Sequence, residues 1–138
     1  MPKKFPLKSK NFNPFGELIS LNFTEVKKGY SQCILKVNEK LFNPHKVLHG
    51  GVIYSMADTG MGGALFTMLN KFELCTTVEI KINYFKPVIS GMLTCNTNVV
   101  HKGKKIAVIE SEVLNNGNIV AKAIGTYSIF KVKTPVTG

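Results

Sequence analysis

The chain has no arginine, no tryptophan and only one aspartate among its 138 residues, and all 18 of its basic side chains are lysines. Proteins that read nucleic acid lean on arginine for bidentate contacts to bases and phosphates. The net charge of +10 therefore does not point to that class. The lysines are scattered along the chain, and they read as a solvated surface or as a preference for small anionic partners. No apolar run approaches the ~20 residues that span a bilayer, so no membrane-embedded role is expected. The basic start, Met1-Pro2-Lys3-Lys4-Phe5-Pro6, has no continuous apolar stretch behind it and does not read as a signal peptide. Cysteine is sparse: Cys33, Cys75 and Cys95 are distant, odd in number and lack CxxC spacing. They are expected to be free thiols in a reducing cytoplasm. His45 and His49 are four apart but lie in the loop that follows Pro44, so no metal site is expected.

What is present is enough for one folded domain: 44% hydrophobic and 19% charged residues are proportions of a globular chain with a core. Residues 1–16, rich in proline and lysine, are expected to form an arm with little regular structure, and 17–138 a single domain. From Glu17 the pattern has period two, with Ile19, Leu21 and Phe23 on one face. A second alternating run, Ser31 to Val37, follows Gly29, and the two read as a hairpin. His49 to about Asn70 is the one long helical segment. Its apolar residues fall nearly all round, which predicts a buried helix. Thr76, Val78, Ile80, Ile82 and Tyr84 then alternate against Thr77, Glu79, Lys81 and Asn83. Strands are expected over 91–101, 105–114 and 118–131, with Asn116-Gly117 as a tight turn. The order β-β-α-β-β-β-β predicts an α+β fold, a curved antiparallel sheet wrapped around one central helix.

The lone aspartate, Asp58, stands in the most apolar segment, nine residues after His49. A carboxylate there is costly unless it is paired, solvated or used for chemistry. It could N-cap a second helix after a break at Gly60, or be a structural acid bonded to a strand; it could equally be a base or nucleophile. Tyr54 and Ser55 are its only local hydrogen-bonding neighbours. Gly50, at the helix N-terminus, could offer its N–H to a carbonyl oxygen gaining negative charge, or simply fit a tight turn. Asn43 reads first as a turn former before Pro44. His49 reads as a buried or loop-anchoring histidine ahead of a substrate contact.

The spacing Asn43-x6-Gly50-x7-Asp58, with His-Gly-Gly leading the helix, resembles the hot-dog-fold acyl-CoA thioesterases, in the branch containing PaaI and thioesterase superfamily member 2. The resemblance covers nearly the whole chain except the arm. It implies a homodimer that pairs into a homotetramer, with active sites between subunits, and hydrolysis of an acyl-CoA to free acid and coenzyme A. It implies Asp58 as general base or nucleophile, facing Gly50 and Asn43 of a second subunit. The family's hydroxyl on the third strand corresponds to Thr77, which the alternation puts on the polar face of its strand. Lys102, Gly103, Lys104 and Lys105 at a hairpin tip, with Lys86, correspond to contacts with coenzyme A phosphates. Tyr54, Met61 and Leu65, on the Asp58 side of the helix, are expected either to line an acyl pocket or to belong to the core. No cofactor is required, since coenzyme A is part of the substrate. The alternatives are a non-catalytic acyl-CoA binder and an enoyl-thioester hydratase or dehydratase using His49.

Overall fold

A computed structural model describes residues 12–136. Six antiparallel strands form one sheet in the order β1-β2-β4-β5-β6-β3. In chain order the elements are α1 (Pro14–Leu18), β1 (Leu21–Lys27), β2 (Tyr30–Lys36), a short 3-10 turn (Glu39–Leu41), α2 (Gly50–Phe66), β3 (Glu73–Tyr84), β4 (Met92–Lys102), β5 (Ile106–Asn115) and β6 (Asn118–Lys131). The expected β-β-α-β-β-β-β order is present. The arm departs from expectation within its described part: Asn13 caps the Gly16 N–H and Pro14 opens one helical turn, the residue types favoured at N-cap and N1. The rest of the arm, residues 1–11, lies outside the described residues. The Asn116-Gly117 turn has positive φ at both residues, 51° and 84°, as a two-residue hairpin requires.

Helix α2 lies in the concave side of the sheet and touches every strand. It is continuous, so no break at Gly60 lets Asp58 cap a second helix. It stops four residues short of Asn70, where the Thr67 hydroxyl donates to the Ala64 carbonyl and satisfies one of the open carbonyls of the last turn. Val52, Ile53 and Met56 pack with Leu35, Leu93 and Val113 at one end of the core; Ala57, Met61 and Leu65 pack with Ile109, Tyr127 and Ile129 at the other. A Cβ at Gly60 would stand 2.7 Å from the Thr97 hydroxyl, and Ser31 donates to the Gly60 carbonyl at 2.6 Å. That glycine is what lets the helix sit so close to β2 and β4.

The expectation of a helix buried all round is overturned. Gly51, Tyr54, Ser55, Asp58 and Gly62 form a stripe that this chain leaves open, with Tyr54 36% exposed. The sheet wraps only the other side, between its edge strands β1 and β3. The apolar residues that surround the helix in sequence terms thin to glycine, serine and aspartate along the open stripe.

The alternation expected along β3 is also overturned. A bulge interrupts its pairing with β6: Thr77 pairs with Tyr127 and Glu79 with Thr126, leaving Val78 over. An extra residue in one strand reverses which face the following side chains occupy. Cys75 packs on the core before the bulge, and Ile80 and Ile82 do so after it. Val78, expected to share their face, is 59% exposed, and Thr77, expected on the polar face, turns toward α2.

Candidate active site

The bulge brings two hydroxyls onto one carboxylate. Thr77 donates to Asp58 Oδ1 at 2.6 Å, and the Tyr127 hydroxyl reaches the same oxygen at 2.5 Å and the Asp58 backbone carbonyl at 2.8 Å. Because Thr77 and Tyr127 are register partners across β3 and β6, a single cross-strand pair sets both donors. Burial, reinforced by the adjoining carboxylate, holds the Tyr127 phenol well above the ordinary tyrosine range. It therefore stays a donor at any working pH. Among the described residues no donor reaches Asp58 Oδ2. The carboxylate is half-buried, oriented through one oxygen and open at the other.

Tyr127 was missed in the sequence because it lies 69 residues from Asp58, in a strand whose tyrosine reads as core. The local partners proposed for Asp58 do not serve it. Ser55 donates instead to the Gly51 carbonyl. The structural reading of Asp58, an acid bonded to a strand, is thus partly realised, but by hydroxyls that leave one oxygen unclaimed.

At the other end of α2, His49 is the N-cap, its Nδ1 accepting the Gly51 N–H at 2.8 Å. Its ring is exposed rather than buried. The Gly50 N–H has no acceptor among the described residues, and it points out of the positive end of a 17-residue helix, where the helix dipole favours negative charge. Tyr84 donates to the Gly50 carbonyl at 2.7 Å, and its ring would be 3.2 Å from a Cβ added at Gly50. Asn43 is a turn former: its Oδ1 accepts the His45 N–H at 2.8 Å. Asn43, Gly50 and Lys86 nevertheless line one groove, with Tyr84 and Phe85.

Asp58 and Gly50 do not meet within one chain. Eight helical residues separate them, about 12 Å along the axis. Lys86, beyond the end of β3, and the hairpin tip Lys102–Lys105, beside its start, also lie apart: β3 alone runs 12 residues, roughly 35 Å between them. At the tip the Gly103 N–H donates to the Ile106 carbonyl. Lys104 and Lys105 share a groove with Lys131, Glu73 and Phe130. Lys131 is a basic residue of this cluster that the sequence did not single out, since only the β5–β6 and β3–β6 pairings bring it there.

Met61 and Leu65 are corrected. Both are fully buried in the core, on the flank of α2 that turns into the sheet, and have no surface to offer a ligand. Tyr54 alone of that trio is exposed. Among the described residues no three of His, Cys, Asp and Glu converge as metal ligands, and no helix is long and apolar enough to cross a membrane.

The thioesterase superfamily profile matches residues 45–122, more than half the chain and including Gly50 and Asp58. A Saccharolobus solfataricus protein provisionally assigned as an esterase is 36% identical over 114 residues, covering 82% of this chain and 75% of its own. The acyl-coenzyme A thioesterase PaaI of Escherichia coli is 26% identical over 100 residues, 70% of this chain and 68% of its own. The solved structure of a Haemophilus influenzae thioesterase superposes with a TM-score of 0.87 at 21% identity, covering 95% of this chain and 94% of its own. At that identity the superposition shows the fold, which is the hot-dog fold. Sequence profile and relatives agree that the chain belongs to the thioesterase superfamily and is a thioester hydrolase.

Proposed function

We propose that this protein hydrolyses acyl-CoA thioesters at a site shared by two copies of the chain, Asp58 coming from one and Gly50 with Asn43 from the other. The observation that carries the reading is the Asp58 carboxylate, held at Oδ1 by Thr77 and Tyr127, with no donor to Oδ2 among the described residues. That is the arrangement a general base needs: one oxygen fixes direction and the other takes the proton. The sharing follows from distance. A thioester carbonyl within ~3 Å of a donor and of the attacking group cannot reach both ends of a gap of about 12 Å on one helix. The open stripe of α2 and the unpaired edge of β3, with Val78 exposed, are the surfaces a second copy would cover. A homodimer, and a homotetramer built from two of them, suits this arrangement.

In the reaction, Asp58 Oδ2 accepts a proton from a water whose oxygen attacks the thioester carbon. The carbonyl oxygen takes the charge and is stabilised by the Gly50 N–H and the helix dipole behind it. The C–S bond then breaks, and the coenzyme A sulfur leaves with the proton returned by Asp58. Direct attack by Asp58, giving an acid anhydride that water later cleaves, uses the same geometry. A single turnover in ¹⁸O-water tests the second route: label in Asp58 marks water attack on the aspartyl carbon of an anhydride, which general-base catalysis never gives. Neither route needs a metal or cofactor. Lys104, Lys105 and Lys131 would meet the coenzyme A phosphates. They stand about four residues of β3, roughly 13 Å, beyond Thr77.

The His49 Nδ1 is occupied in capping the helix, which favours hydrolysis over a histidine-driven hydration. The relatives named for acyl-coenzyme A and 1,4-dihydroxy-2-naphthoyl-CoA hydrolysis accord with an acyl-CoA substrate. Three free cysteines, two of them buried, suit a reducing cytoplasm. The test is Asp58→Asn: turnover is expected to fall at least ~100-fold with the melting temperature preserved. Near-normal thiol release by the folded variant would remove Asp58 from the mechanism.

A further inference from the structure

Helix α2 opens on two glycines, Gly50 and Gly51, the residues least able to hold a helical turn by themselves. A donor that stabilises charge developing on a carbonyl oxygen has to be held in a fixed direction beforehand. His49 engages the two donors that follow Gly50: its Nδ1 accepts the Gly51 N–H at 2.8 Å and its carbonyl the Val52 N–H at 3.0 Å. Tyr84, the last residue of β3, holds Gly50 itself. Its hydroxyl donates to the Gly50 carbonyl at 2.7 Å, and its Cζ and hydroxyl oxygen would stand 3.2 Å from a Cβ added there. The phenol thus occupies the place a side chain would take. Tyr84 is 48% exposed, so filling the core does not account for this contact. Partial burial, with Tyr54 nearby, holds its phenol above the ordinary tyrosine range, and at neutral pH the hydroxyl remains a donor.

We propose that Tyr84 is a positioning residue for hydrolysis: by clamping the first residue of α2 it aims the Gly50 N–H at the thioester oxygen, without touching the substrate itself. The inference rests on the reading of the Gly50 amide as the group that polarises the carbonyl. It gives β3 two duties. Thr77 orients Asp58 from within the strand, and Tyr84 orients Gly50 from its end. Asp58 and Gly50 of one chain belong to different sites in the proposed dimer, so each β3 serves both sites. Such a role predicts a loss confined to kcat. The direction of the amide matters to the charge that develops in the transition state, whereas binding of the ground-state thioester does not depend on it.

The test is a cycle of four proteins: Gly50→Ala, which keeps the N–H, and Gly50→Pro, which deletes it, each with and without Tyr84→Phe. Turnover and KM are measured by thiol release from an acyl-CoA, with melting temperature as the check on folding. Beside Gly50→Ala, Tyr84→Phe is expected to lower kcat about three- to tenfold with KM unchanged. Beside Gly50→Pro it is expected to change nothing further. An equal loss in both backgrounds overturns the inference, since Tyr84 then acts apart from the amide; so does a loss carried by KM. Hydrogen exchange by NMR on Tyr84→Phe alone is expected to show lower protection of the Gly51 and Val52 amides than in the parent chain. Unchanged protection overturns the inference whether or not the proline variants fold. If Gly50→Pro turns over as fast as Gly50→Ala, the amide has no role, and the reading of Gly50 falls together with the inference. A deficit in Gly50→Pro without any effect of Tyr84→Phe leaves that reading standing and removes Tyr84 alone.

Discussion

Replacing Gly50 by proline removes one hydrogen atom of interest and little else. Gly50 is the first residue of α2, the helical position at which proline is best tolerated because its N–H has no intrahelical partner. The preceding residue, His49, has φ −61° and ψ 131°, inside the extended region that a following proline enforces. The added Cβ would sit 3.2 Å from the Tyr84 ring tip, close enough to need a shift of a few tenths of an ångström at the end of a side chain. Gly50→Ala introduces that same contact but keeps the N–H, so the pair of variants isolates the amide. Loss of one oxyanion donor costs ~10²–10³ in turnover in enzymes that depend on it. Gly50→Pro is therefore expected to fall about that far below Gly50→Ala in kcat, measured by thiol release from an acyl-CoA, with circular dichroism and melting temperature alike in the two. Comparable turnover by both folded variants would refute the role of the amide.

Other consequences follow from the same geometry. Thr77→Val and Tyr127→Phe each remove one donor to Asp58; a hydrogen bond to a charged group is worth ~1.5–3 kcal/mol, so steady-state assays should show kcat lowered about 10- to 100-fold with KM nearly unchanged. A double variant should lose less than the product of the two, because both donors fix the same oxygen. Tyr127 keeps its proton in the folded protein well above the tyrosine range, while the unfolded chain releases it near pH 10. Its stabilising effect is complete below pH 10 and declines above it, by about 1.4 kcal/mol per pH unit; urea titrations between pH 10 and 12 should show a shallower decline for Tyr127→Phe. Gly60→Ala should destabilise the protein by ~1–3 kcal/mol, read as a melting temperature several degrees lower, because the Thr97 hydroxyl it would strike is already bonded to Ser111.

The elements of this fold were legible wherever the signal was local. Alternation marked β1, β2 and β4 to β6, Asn116-Gly117 marked its turn, and the run from His49 marked the helix. What was not legible came from one residue too many. The bulge at Val78 leaves no trace in composition, yet it reverses the facing of β3 and turns Thr77 from a surface residue into a partner of Asp58. Tyr127 escaped for a related reason, since nothing in the order of residues says that the two strands carrying the hydroxyls lie side by side. Met61 and Leu65 share a nominal helix side with Asp58, but a helix cradled by a curved sheet buries much more than half its circumference. The open stripe is narrow, and a spacing rule that counts three and four residues is too coarse to find its edge. Asp58 itself stood out because a lone carboxylate among apolar residues demands an explanation.

The claim that one site is built from two chains is tested most directly by complementation. An Asp58→Ala chain and a Gly50→Pro chain, each inactive alone, are co-expressed with different tags and the mixed dimer is purified through both. In that dimer one site inherits both defects and the other inherits neither, so the account predicts close to half the wild-type activity per dimer, following from the two-fold symmetry of such an assembly. A folded mixed dimer as inactive as its parents would contradict it.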